Sequence, residues 1–191
     1  MLLENQVALV SGTGPNIGIE IVRTLAREGA KVACMDLDAD RAEAAATEAR
    51  SAGVESIAVP ADSTDPVAVK RAVDATVSAF GGINILVSSG SITHSGNILD
   101  TDIDEWRHVI DVTLTGHFVV GQAAARQMVA QGKGGAIVNI ASTSGHRGAG
   151  RAIAYASAKG GILNMTRSMA IQLAPHGIRV NSVTPTQTGI P

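Results

Sequence analysis

Val7-Ala8-Leu9-Val10-Ser11-Gly12-Thr13-Gly14-Pro15-Asn16-Ile17-Gly18 decides how the rest of the chain is read. The four leading apolar residues are too few for a helix and suit a strand buried on both faces. A glycine-rich turn follows at once. From Ile17 to about Glu28 the apolar spacing turns helical. Strand, glycine-rich turn and helix in that order are the context a phosphate-binding loop needs. Glycine lets the backbone approach a pyrophosphate closely, and the helix N-terminus supplies N–H groups and partial positive charge. Gly12, Asn16, Ile17 and Gly18 are therefore candidate cofactor-binding residues. Asn16 stands where another glycine would be expected. Asparagine is the next most tolerant residue for left-handed geometry.

The same alternation continues outward. Further short apolar runs occur at Val32–Met35, Ser56–Val59, Ile83–Val87, Ala136–Ile140 and Arg179–Val183. Helical patterns separate them at Ala39–Ala52, Pro66–Ala79, Asp104–Ala130 and Ile153–Ala174. Gly29, Gly53, Gly81 and Gly177 stand where C-terminal caps need positive φ. Asp65-Pro66 opens the third helix with proline in its first turn. The sum is an α/β fold, a doubly wound parallel sheet with helices on both faces. The length, 191 residues, fits one domain.

Composition narrows the functions. Hydrophobic residues make up 45% but aromatics only 2%, so few rings exist to stack nucleic-acid bases. The net charge of −2 and the lack of a basic run also argue against a nucleic-acid partner. No apolar run is long enough to span a bilayer, and the N-terminus lacks the basic region of a signal peptide. The lone Cys34 sits in an apolar run and reads as a buried hydrophobe, which suits a reducing, cytoplasmic setting. No Cys/His spacing suggests a metal site. No Gly-x-Ser-x-Gly elbow suggests a serine hydrolase.

The chemistry gathers around Tyr155, the single tyrosine, with Lys159 four residues later. On a helix the two share a face. A neighbouring cation stabilises phenolate and makes a tyrosine a usable proton donor near neutral pH. Ser142 precedes Tyr155 by thirteen residues, at the end of an apolar run. Asp36 ends the second strand, eighteen residues after Gly18. A carboxylate there accepts from both hydroxyls of an adenosine ribose and repels a 2′-phosphate. Arg41 is near, but Asp38 and Asp40 surround it. NAD is therefore the expected cofactor.

Together these residues resemble the short-chain dehydrogenase/reductase family, from Val7 to Pro185, with a Rossmann-like sheet. The resemblance implies a catalytic Ser142, Tyr155 and Lys159. It implies an adenine contact at Asp62, with Leu37, Ser63, Ser89, Gly90 and Pro185 also bordering the dinucleotide. It implies oxidoreduction between a small secondary alcohol and its ketone, and a homotetramer or homodimer formed by pairing the long helices. Ser142 would hold the substrate oxygen and Tyr155 would exchange its proton.

Three departures stand out. Thr113 replaces the asparagine that in this family holds a water beside the lysine. Ser88-Ser89-Gly90-Ser91 replaces Asn-Asn-Ala-Gly, and Thr186 replaces a glycine. Residues 1–191 read as one dinucleotide-binding and catalytic domain that stops at Gln187–Pro191, after the sixth strand. The family's substrate lid and last strand would follow, so the sequence is expected to continue. His146 follows Ser142 by four and reads as an exposed loop residue. The alternative reading is an NAD-binding sensor or scaffold without turnover, motivated by Thr113, Ser88–Ser91 and the missing lid.

Overall fold

The computed structural model describes residues 1–186; Gln187–Pro191 lie outside the described residues. Six strands form one parallel sheet in the order β3-β2-β1-β4-β5-β6. They are β1 (Val7–Ser11), β2 (Lys31–Met35), β3 (Ser56–Ala58), β4 (Ile85–Ser88), β5 (Gly135–Ile140) and β6 (Ile178–Val183). The helices are α1 (Ile17–Arg27), α2 (Ala39–Ser51), α3 (Pro66–Phe80), α4 (Ile103–Ile110), α5 (Gly116–Gln131) and α6 (Ile153–Leu173).

Side-chain alternation sorts the core into two layers. Ala8, Val10, Val32, Cys34, Ile85 and Val87 face α1 and α2, where Val22, Ala26, Ala45 and Ala49 meet them. Leu9, Ala33, Leu86 and Ile137 face α3 and α5, against Val69, Val73, Val120 and Met128. With so few aromatics, alanine on the helices lets them sit close to the sheet.

The expected caps are present. Gly29, Gly53, Gly81 and Gly177 have φ of 91°, 89°, 85° and 69°. Asp65 caps α3 by accepting from Val67 N at 2.8 Å. Boundaries shift slightly, with β4 ending at Ser88 and not Val87. One helix was expected from Asp104 to Ala130. Its course is instead α4 and α5 joined through a π-helical turn, Asp111–Thr115. An extra residue in such a turn rotates the following side chains, and these turns concentrate at functional sites.

Strand order reverses between β3-β2-β1 and β4-β5-β6. The loops after β1 and β4 therefore leave in opposite directions and open a crevice at the strands' carboxyl ends.

Candidate active site

Glycine geometry shapes the crevice floor. Gly12 has φ 79°, and a Cβ there would lie 2.4 Å from Gly90 N. A Cβ on Gly18 would lie 2.2 Å from Gly12 O. These contacts let the first turn fold flat against the loop after β4. Asn16 takes φ 72°, the left-handed conformation expected of it. No side chain caps α1; the Ile19 and Glu20 N–H groups bond backbone carbonyls, and those of Ile17 and Gly18 face the turn.

The resulting cleft holds about 900 Å³. Gly12, Asn16, Ile17, Gly18, Asp36, Leu37, Asp62, Ser63, Ser89, Gly90 and Pro185 line it, as do Ser142, Tyr155 and Lys159. Its length joins the glycine turn to the Tyr155–Lys159 pair. These residues fit a dinucleotide. The turn is one that a Cβ would fill, and a carboxylate ends the second strand beside it.

Asp36 is not the helix cap. Asp38 caps α2, accepting from Asp40 N at 2.9 Å, while Asp36 Oδ1 accepts from Asp38 N at 3.1 Å. Arg41 also borders the cleft and pairs with Asp38 at 3.4 Å. On the opposite wall stand Ile92, Thr93, His108, Asp111 and Val112. The sequence reading placed the loop from Ser91 to Asn97 at the pocket wall but missed His108, Asp111 and Val112 as site residues. The π turn brings Asp111 and Val112 to the wall, and no local sequence signal marks such a turn.

The end of the cleft that holds Tyr155 and Lys159 is ordered by α6. Lys159 is 1% exposed, and its Nζ donates to the Ile140 carbonyl at 2.7 Å. Nζ lies 5.5 Å from the centre of the Tyr155 ring. Burial pushes the ammonium down from its ordinary 10.5 to about 8. Ser142 is buried and starts a 3-10 turn, Thr143–Gly145, by accepting from Ser144 N at 3.2 Å. Gly145 brings that turn onto α6: a Cβ there would lie 2.7 Å from the Lys159 carbonyl carbon. This approach sets Ser142 beside Tyr155 and Lys159, and Gly145 was not singled out in the sequence.

Thr113 alone among the expected site residues does not line the cleft. It is fully buried, and its hydroxyl is committed to Ile92, accepting from N at 3.2 Å and donating to O at 3.1 Å. It pins the loop after β4. His146 is exposed and meets Thr184 Oγ1 at 3.4 Å.

A doubly wound sheet with this turn and this tyrosine–lysine pair defines a nucleotide-dependent dehydrogenase class. The chain belongs to the short-chain dehydrogenase family, whose sequence profile matches residues 6–190. It is 36% identical to galactitol 2-dehydrogenase of Agrobacterium fabrum, over 97% of this chain and 71% of that protein. It is 38% identical to a 3-alpha-(or 20-beta)-hydroxysteroid dehydrogenase of Mycobacterium bovis, over 96% and 69%. The NAD+-bound structure of a xylitol dehydrogenase superposes with a TM-score of 0.96 at 35% identity, covering 100% of this chain and 74% of that one.

Proposed function

We propose that this chain is an NAD(H)-dependent oxidoreductase that interconverts a small secondary alcohol and its ketone, with Tyr155 as general acid and base. The observation that carries the reading is the buried Lys159 ammonium, fixed to Ile140 and set against Tyr155 in the cleft that the glycine turn opens.

A nicotinamide dinucleotide, when bound, supplies or accepts the hydride. Gly12, Asn16, Ile17 and Gly18 would hold its pyrophosphate, and Asp62, Ser63, Ser89 and Gly90 its adenosine side. Asp36 would accept from the ribose hydroxyls and oppose a 2′-phosphate, which favours NAD over NADP. Arg41, paired with Asp38, offers that phosphate little compensation. Ser142 would donate to the substrate oxygen. Tyr155 would give that oxygen a proton in reduction and take one in oxidation, with Lys159 stabilising the phenolate.

The sugar alcohols and hydroxysteroid in the relatives' names set the panel to test. Calorimetry should show NAD binding well above NADP. NADH absorbance should then grow with an alcohol of the panel, and Tyr155→Phe should lower that rate at least about 100-fold while NAD still binds. NAD binding with no turnover across the panel would favour the sensor or scaffold reading.

Self-association is part of the proposal. A groove of about 410 Å³ runs between α5 and α6, lined by Phe118, Gly121, Ala125, Val129, Met169 and Leu173. Phe118 is 50% exposed at the rim of this apolar groove, and contiguous apolar surface of this kind marks interaction sites. A second copy packing the same helices would cover it, giving a homodimer or homotetramer. Monomer mass in light scattering at micromolar concentration would rule this out. The reduced, buried Cys34 suits a cytoplasmic setting.

A further inference from the structure

The Lys159 ammonium carries three N–H donors. One goes to the Ile140 carbonyl. Two other buried polar atoms near the ends of β4 and β5 have no protein partner: His117 Nε2 and Asn139 Oδ1. Both residues are almost wholly enclosed, at 1% and 0% exposure. A buried acceptor left unpaired costs the full penalty of its lost hydration, so such atoms call for a partner.

These groups share one compartment. The His117 ring lies against the backbone of Ser88 and Thr113. With its N–H at Nδ1 turned to those carbonyls, Nε2, which has no partner, is a bare acceptor. Ser88 is the cross-strand partner of Asn139. Asn139 Nδ2 donates to Thr166 Oγ1 at 3.0 Å, on the same helix as Lys159 and about two turns beyond it. Among the described residues, Lys159 is the charged group close enough to bear on His117. Around the ring, α6 contributes Lys159, β4 contributes Ser88 with Asn139 beside it on β5, and the preceding π turn contributes Thr113. Of these only Lys159 titrates. The Thr113 hydroxyl is not available to the lysine, because Ile92 takes both of its functions.

We infer that His117 is a positioning residue for Lys159: His117 Nε2 and Asn139 Oδ1 accept from one buried water, and the Lys159 ammonium donates to it. The bonding balances. The water gives its two hydrogens to the two orphan acceptors and receives one N–H, the three bonds typical of an internal water. The neutral imidazole holds the ammonium in its charged form from behind while its front faces the cleft. Burial and Lys159 together keep the imidazole uncharged, pushing it down to about 3.

The inference rests on the proposed oxidoreductase function only where turnover is read. Its first test does not use turnover. The chain has four lysines, 31, 70, 133 and 159, so lysine-labelled protein gives four titration curves by NMR. His117→Leu should lower the Lys159 midpoint by about one pH unit, the scale of a lost hydrogen bond to a charged group. His117→Gln keeps an acceptor and should stay near wild type. A folded His117→Leu protein with an unmoved midpoint overturns the proposal. If that variant does not fold, the wild-type imidazole nitrogen shifts decide. The Nδ1–H tautomer supports the arrangement, and the Nε2–H tautomer overturns it. In turnover, the alkaline limb of kcat should move to lower pH by the same unit in His117→Leu, with KM little changed, and an unmoved limb overturns the positioning role. Wild-type protein that turns over no alcohol counts against the proposed function, while the lysine titration still judges His117.

Discussion

Lys159 on α6 and Ile140 at the end of β5 are joined by a 2.7 Å hydrogen bond, from Nζ to the carbonyl oxygen. The bond ties α6 to the carboxyl edge of the sheet and holds a cation in a buried place. Such a cation is expensive to bury, and its pH dependence follows. The folded chain holds this proton to about pH 8, the unfolded chain to 10.5. Between those values the unfolded state binds more protons, so stability rises with pH. Lys159→Met should lack that rise. Urea unfolding at pH 8 and at about pH 9.5 should show wild type gaining roughly 2 kcal/mol relative to the variant. Parallel pH dependences would contradict a desolvated ammonium.

His117 gives the complementary effect in acid. Its folded value is about 3 against an ordinary 6.5. In that window the unfolded chain takes up the proton first, so stability is lost as pH falls below 6.5. Carboxylate effects are shared by wild type and His117→Gln and cancel in their difference. Between about pH 6.5 and 4.5, wild type should lose roughly 2 kcal/mol more than the variant. Equal losses would mean that the imidazole is not buried neutral.

What the sequence made legible follows from where each signal is local. Gly12, Asn16 and Gly18 announce the turn because only residues tolerant of φ near 79° or 72°, or of an absent Cβ, fit there. The short continuous apolar runs of β1 and β4 are a property of neighbours, so sheet and helices could be read off directly. Tyr155 and Lys159 are one helical turn apart, and the cleft brings them together as that spacing requires. Thr113 was assigned a place in the site through alignment with a family position, yet its hydroxyl turns to Ile92. That choice depends on a loop twenty-one residues away. The π turn, the Gly145 contact and the His117 compartment likewise arise from packing between distant segments, which no local pattern encodes.

Cys34 tests the core on the opposite face. It is fully buried between α2 and the sheet, with Ser56 Oγ 3.8 Å away, and burial pushes the thiol up to about 12. The reactive thiolate is therefore scarce and shielded. A water-soluble disulfide reagent should leave the native chain unmodified over hours and titrate one thiol per chain in denaturant. Fast labelling of native protein would show that this layer opens readily.

Gly145 tests the alignment of the catalytic groups without touching any of them. It has no positive φ, so the constraint there is space and not backbone conformation. Alanine would put a methyl group 2.7 Å from the Lys159 backbone, which must push the 3-10 turn and Ser142 away from α6. Overpacking of this kind destabilises by about 1–3 kcal/mol. Misplacing a catalytic group by an ångström lowers the rate by about 100-fold. Gly145→Ala should therefore lower kcat by one to two orders of magnitude, roughly, while NAD affinity at the distant glycine turn holds. Gly148→Ala is the control, because a Cβ there meets nothing within 4 Å and should leave both kcat and Tm unchanged. If Gly145→Ala matched that control, the contact between the 3-10 turn and α6 would not be what places Ser142.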